Sequence, residues 1–217
     1  MATLTTDKNG QASVDGLYLG DYYVKEISPS VGYLADETEH DLVCNYEGDL
    51  AAEVKRDCVS LEQVMKQPFQ IIKAANNGKT DADLLKGAGF TAYLESSLTK
   101  KADGSYDFAS ATPVVIGENG ATEMFTDEKG YACSIALPYG TYIVRETTTP
   151  HNYTPVDDFT VCITENNPNQ PQTWRVLLDD EFEAKLKIIK QDDETKKPVL
   201  QKNTCLLYTS DAADDLI

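Results

Sequence analysis

The segment around Gly20 recurs around Gly140 without a gap, and this limits the chain to architectures assembled from copies of one unit. Thr6, Asp7 and Gly10 stand against Thr126, Asp127 and Gly130. Leu17, Gly20, Tyr22, Val24 and Glu26 stand against Leu137, Gly140, Tyr142, Val144 and Glu146, and Tyr33 against Tyr153. A second recurrence joins Phe69-Gln-Ile-Ile-Lys73 to Leu186-Lys-Ile-Ile-Lys190, so each unit opens with a strand that ends in lysine. The offsets are 120 residues for Gly20 and Gly140 and 117 for Lys73 and Lys190, which sets the length of the unit. Residues 1–66 then read as the back half of one unit, 67–183 as a complete unit and 184–204 as the opening strand of a third.

A half unit without its first strands leaves a sheet edge unpaired, so those strands are expected upstream of Met1. The stretch from Cys205 to Ile217 has no counterpart in the chain. It resembles translated sequencing-adapter DNA, which implies that it stands outside the fold.

The complete unit carries strand signals at Phe90-Thr-Ala-Tyr-Leu, Pro113-Val-Val-Ile, Thr141-Tyr-Ile-Val-Arg, Phe159-Thr-Val-Cys-Ile and Trp174-Arg-Val-Leu-Leu. Turn clusters separate them at Asp103-Gly104, Asn119-Gly120 and Asn166 to Pro171. This spacing predicts an all-β fold of tandem antiparallel sandwiches. Thr80 to Lys86 is the one helix-like stretch and reads as a turn in an insertion. Tyr22, Tyr23, Tyr142 and Tyr153 occur at strand period and are expected in the core.

Acidic residues outnumber basic ones 36 to 19, and a net charge of -17 repels nucleic acid and anionic lipid. No run approaches the roughly 20 apolar residues of a membrane helix. The five cysteines form no CxxC pair, so neither a metal site nor a cofactor motif is indicated; buried thiols with room for one disulfide are expected. His40 and His151 stand beside turn residues without a nucleophile motif. Asp157 and Asp158 lack the ligand spacing of a calcium loop and read as surface charge.

Strand alternation puts Phe69, Ile71 and Lys73 on one face, and Tyr142, Val144 and Glu146 on one face. If the aromatic residues point inward, so do the charges. Burial favours a neutral amine and a protonated carboxyl, which is the pairing an amide bond between side chains requires. Lys73 would attack, Glu146 would shuttle protons, and the acceptor would lie on the closing strand. There Trp174, Val176, Leu178 and Asp180 share a face by parity, which favours Asp180, with Asp179 second. The ordinary alternatives are a lysine whose stem packs while its ammonium reaches water, a Glu146 paired with Arg145, and a solvated acidic turn at 179–180.

The segments Gly140-Thr-Tyr-Ile-Val-Arg-Glu-Thr-Thr-Thr-Pro150, Gly20-Asp-Tyr-Tyr-Val-Lys-Glu26 and Leu186-Lys-Ile-Ile-Lys-Gln-Asp192 resemble those of SpaA-type or Cna B-type domains. These are prealbumin-like sandwiches of Gram-positive pilins and surface adhesins, many with an intramolecular isopeptide bond. The resemblance implies that Lys73 is the nucleophile, Glu146 the acid and an Asp near 179–180 the acceptor. Glu26 and Lys190 are the equivalents in the first and third units. In many relatives the acceptor is asparagine, a position that aligns near Leu178.

Two functions follow as expectations. The first is a stalk or pilin-like rod on the cell surface or wall, cross-linking itself once and without turnover, whose partners are neighbouring domains of the same chain. The second is an adhesin module that contacts host protein or glycan through the stretches Asn76 to Lys86 and Lys100 to Asn119.

Overall fold

A computed structural model describes residues 2–48, 53–79, 82–182 and 187–199. The stretch Cys205 to Ile217, together with Thr80, Asp81 and Leu186, lies outside the described residues. The chain divides into two units, Met1–Phe182 and Glu183–Ile217.

In the first unit, β1 (Gly20–Val24) pairs antiparallel with β3 (His40–Cys44), and β2 (Tyr33–Leu34) with β4 (Gln63–Val64). The remaining strands are β5 (Lys66–Gln67), β6 (Gln70–Asn76), β7 (Gly89–Leu94), β8 (Thr99–Lys100), β9 (Tyr106–Asp107), β10 (Glu123–Phe125), β11 (Tyr131–Cys133), β12 (Leu137–Pro138), β13 (Gly140–Thr148), β14 (Phe159–Ile163) and β15 (Arg175–Asp180). One sheet has the order β10-β7-β13-β14 and the other β11-β6-β15. Their inner faces meet in one core that includes Phe69, Ile71, Phe90, Tyr142, Val144 and Val161. β-branched and aromatic residues at alternate positions give each sheet an apolar side.

β6 and β15 run parallel, with Lys73 opposite Leu177 and Ala75 opposite Asp179. The unit therefore is not wholly antiparallel. Its opening and closing strands lie side by side because the chain between them crosses over through the other sheet.

Pro113 to Ile116 is not a strand. Pro113 has no N–H to give a ladder, and the segment makes isolated bonds such as Val114 N–H to Ala92 O at 2.9 Å, while Ile116 is buried. The described part of the Thr80 to Lys86 stretch is extended where Leu84 bridges Ala74, and no α-helix occurs among the described residues. The Lys100 to Asn119 stretch begins with the β8–β9 hairpin, which lies on the outer face of β7 and β13. There Phe108 contacts Tyr93 edge-on at 4.9 Å, and the Arg145 guanidinium lies 4.0 Å from the Phe108 ring centre.

Residues 1–66 and the rest of this unit are joined through backbone. Met65 N–H donates to Gly32 O and Tyr139 N–H to Met65 O, each at 2.8 Å, and β5 pairs with β12. Of the four aromatic residues expected in the core, Tyr142 is buried, Tyr22 and Tyr153 are half-buried, and Tyr23 is exposed. The cysteines also depart from expectation: Cys44, Cys58, Cys133 and Cys162 are free, and the last three are exposed. They lie in β3, in a loop and on the outward positions of β11 and β14, none of which faces the core.

In the second unit, Gln191 bridges Pro198 across a turn. Lys187 to Lys190 form no strand, and Ile188, Ile189 and Lys190 are exposed. The turn brings Val199 N–H to Lys190 O at 2.8 Å, a single pairing that does not extend into a ladder among the described residues.

Candidate isopeptide site

Phe69, just before β6, and Ile71 and Lys73 within it turn inward in alternation, and all three are buried; Lys73 has 0% of its surface exposed. Its backbone is fixed on both sides. Lys73 N–H donates to Gly130 O at 2.7 Å, and Lys73 O accepts from Leu85 N–H at 2.9 Å. Gly130 has φ +64°, and a Cβ there would lie 2.3 Å from Lys73 O, so only glycine fits the turn against this strand. The repeated Thr-Asp-x-x-Gly motif thus has a function in the second repeat. Asp127 Oδ1 accepts from Lys129 and Tyr131 N–H and folds the chain so that Gly130 reaches β6.

β13 turns Tyr142, Val144 and Glu146 inward. Lys73 Nζ donates to Glu146 Oε2 at 2.7 Å, and Val156 N–H donates to the same oxygen at 3.1 Å. Lys73 Nζ also donates to Asp179 Oδ1. The Phe90 ring centre lies 5.6 Å from Nζ and forms an apolar wall of the site. Glu146 Oε1 and Asp179 Oδ2 are buried and have no hydrogen-bond partner.

Asp180, the first choice from parity, is not in the site. It is exposed and accepts from Asn76 Nδ2 at 2.7 Å, while Asp179 is 1% exposed beside Lys73. Trp174 is the source of the error. It precedes β15 and is exposed, as are Val176 and Leu178, so the inward series is Leu177 and Asp179. A shift of one residue turns every side chain of a strand to the other face. Leu178 points outward, and the position aligned with the relatives' asparagine is therefore not the one that meets the lysine.

Arg145 pairs with Asp158, its Nε 2.9 Å from Asp158 Oδ1, which leaves Glu146 to the interior. Glu26 is half-buried in the first repeat, and its Oε2 accepts from Asp36 N–H at 2.6 Å. Lys190 lies in the other unit and is exposed.

Three ionisable groups in an apolar site cannot all be charged without a large desolvation penalty. Burial, reinforced by the like charge of Glu146 and opposed by Lys73, pushes the Asp179 carboxyl up to about 6. A protonated Asp179 presents a carbonyl carbon to the amine, with the leaving oxygen already carrying hydrogen. An open cleft bounded by Pro155, Val156, Asp157 and Asp158 touches the backbone at Glu146, while the Glu146 side chain itself has none of its surface exposed. Among the described residues no cluster of His, Cys, Asp or Glu could hold a metal ion, and no helix is long and apolar enough to cross a membrane.

An all-β fold whose opening and closing strands lie in parallel, with a buried lysine between two carboxyls, defines the class. The prealbumin-like fold domain of the SpaA family matches residues 1–57 and 68–175, and the chain belongs to that family. No curated protein matches. Among solved structures, the Bacillus anthracis TIE protein is similar at 26% identity and a TM-score of 0.53, over 82% of this chain and 28% of that one. The chain thus spans well under a third of that relative. GBS52, the minor pilin of Streptococcus agalactiae, is similar at 17% identity and a TM-score of 0.45, over 86% of this chain and 71% of that one. The shaft pilin spaA of Lactobacillus rhamnosus GG is similar at 20% identity and a TM-score of 0.38, over 86% and 70%.

Proposed function

We propose that this chain is part of a pilin-like stalk on the surface of a Gram-positive cell, and that its second repeat is closed by an amide bond between Lys73 and Asp179. One observation carries the reading: a lysine with none of its surface exposed, in contact with two buried carboxyls on the strands that flank it in space. Membership of the family with the SpaA prealbumin-like fold supports the surface role.

The ammonium first gives a proton to a carboxylate. The free amine adds to Asp179 Cγ while Glu146, in its protonated form, donates to the carbonyl oxygen. Addition forms the C–N bond; the proton lost by the nitrogen passes through Glu146 to one oxygen, and collapse restores the carbonyl, breaks that C–O bond and releases water. Glu146 ends as it began, whereas Lys73 and Asp179 are consumed in the amide, so the reaction occurs once per domain and there is no turnover. Asp179 in place of asparagine makes water, not ammonia, the leaving group. Repeat boundaries near 66–67 and 183–184 belong to the same proposal.

The bond would join the strands that open and close the domain. Tension applied along the rod then passes through a covalent link, and the residues between Lys73 and Asp179 do not lengthen. Pulling single molecules tests this. The wild type should show no extension from the 106 residues so enclosed. Lys73→Ala should release them, roughly 350 Å at about 3.3 Å per residue. Release of that length by the wild type would rule the role out.

A further inference from the structure

Three alternate residues of the segment that leads into β14 each hold a different part of the site. Thr154 N–H donates to Asp180 O at 2.9 Å, and the Thr154 hydroxyl donates to the same oxygen at 3.2 Å. Val156 N–H donates to Glu146 Oε2 at 3.1 Å, and the Val156 side chain packs on the core. Asp158 takes Arg145 in a two-pronged pair, with Nε donating to Oδ1 at 2.9 Å and Nη2 to Oδ2 at 3.1 Å. The segment thus runs from the strand of Asp179 to the strand of Glu146.

β13 is gripped on both faces. Arg145 points outward and Glu146 inward, so Asp158 holds the strand from outside while Val156, two residues earlier, holds Glu146 from inside. The pairing of β13 with β7 shifts register directly after Glu146, which interrupts the ladder beside the carboxyl that must be held.

The outer grip has a backing of its own. The Arg145 guanidinium lies 4.0 Å from the Phe108 ring centre, and Phe108 meets Tyr93 of β7 edge-on. A guanidinium that is both stacked on a ring and forked onto a carboxylate has little freedom to move. In the first repeat Asp36 N–H likewise reaches Glu26 Oε2, at 2.6 Å, but the outward neighbour is Lys25, which pairs with Glu39 at 3.6 Å. The inner grip therefore occurs in both repeats and the forked outer one in the second.

We propose that residues 154–158 form a strap that holds Glu146 in the orientation required for amide formation, with Arg145, Asp158 and Phe108 as positioning residues that act through Val156 N–H. Val156 fixes which oxygen of Glu146 faces Lys73 Nζ, and Thr154 ties the same segment to the residue that follows Asp179. Groups that exchange a proton must be held to within about 0.5 Å of the productive geometry, which needs support from outside the reacting set. Phe108 gives the Lys100 to Asn119 stretch a part in the chemistry, as the backing of the strap. The inference rests on the amide reading above and adds the residues that set its rate.

The full chain is made by cell-free synthesis and quenched at intervals, and its intact mass gives the fraction that has lost one water. Asp158→Ala should react about ten-fold more slowly than the wild type, the factor that about 1.4 kcal/mol of lost positioning gives, and Phe108→Leu about three-fold more slowly. Both should end one water short of their sequence masses. The Val156 amide proton separates positioning from plain stability: in Asp158→Ala its signal should move most of the way to its place in Glu146→Gln, where the carboxylate is absent. Lys86→Ala, which removes an exposed pair with Glu128 in the turn before β11, should change neither rate nor signal. An unchanged rate or an unmoved Val156 signal in Asp158→Ala, whatever its thermal stability, would overturn the strap while leaving the bond in place. A wild type that never loses water would overturn both.

Discussion

Tyr22 and Tyr142 make the same hydrogen bond, to Tyr18 O at 2.7 Å and to Pro138 O at 2.8 Å, yet Tyr142 is buried and Tyr22 is not. Gly10 and Gly130 turn at φ +73° and +64°; a Cβ on Gly130 would strike β6, whereas one on Gly10 would meet nothing within 4 Å. Asp7 and Asp127 fold their loops with the same bonds to the residues two and four further on. The local geometry of the repeat is therefore encoded within each segment. Full burial comes from strands like β6 and β7, whose equivalents are not among the described residues of the first repeat.

The comparison can be broken most severely at the lysine. Lys73→Ala should remove a cross-link across a loop of 106 residues, which the chain-entropy treatment of cross-links values at about 4 to 5 kcal/mol. It also leaves two carboxyls buried without their cation. Denaturant unfolding should show at least that loss, while Lys25→Ala should change stability by less than about 0.5 kcal/mol.

Gly130→Ala should cost roughly 3 to 5 kcal/mol, because strain at positive φ adds to a clash with Lys73 O. Gly10→Ala should cost about 1 kcal/mol, from backbone strain alone. Thermal unfolding of the two variants gives the contrast, and equal effects would show that Gly130 does not bear on β6.

In Glu146→Gln, which should not form the bond, Asp179 stays titratable and buried. Burial alone still holds its carboxyl above the ordinary range, although the part of the rise due to Glu146 is gone, so the native state keeps a proton that the unfolded chain releases. Stability should therefore fall as pH rises from about 4, and level off before about 6. The double variant Glu146→Gln/Asp179→Asn should lack this slope.

The smallest contrast lies at the tyrosines. Tyr142→Phe should cost about 1 kcal/mol by leaving Pro138 O without its donor, and Tyr22→Phe should be nearly neutral because water reaches Tyr18 O.

Much of this was legible in the sequence, because period-2 alternation and the repeat speak to local geometry. Phe69, Ile71 and Lys73 point inward as alternation requires, as do Tyr142, Val144 and Glu146. What failed depended on knowing where a strand begins. Trp174 misled the parity of β15 because a large apolar side chain is a poor guide when it lies outside the strand. The parallel pairing of β6 with β15 is a long-range fact that no local pattern carries.

Whether Lys73 and Asp179 are joined is answered directly by the intact mass of the full chain. The expected mass is lower than the sequence mass by one water, with Lys73→Ala and Glu146→Ala at their full sequence masses and Asp180→Asn still one water short. A wild-type chain at its full sequence mass would contradict the bond.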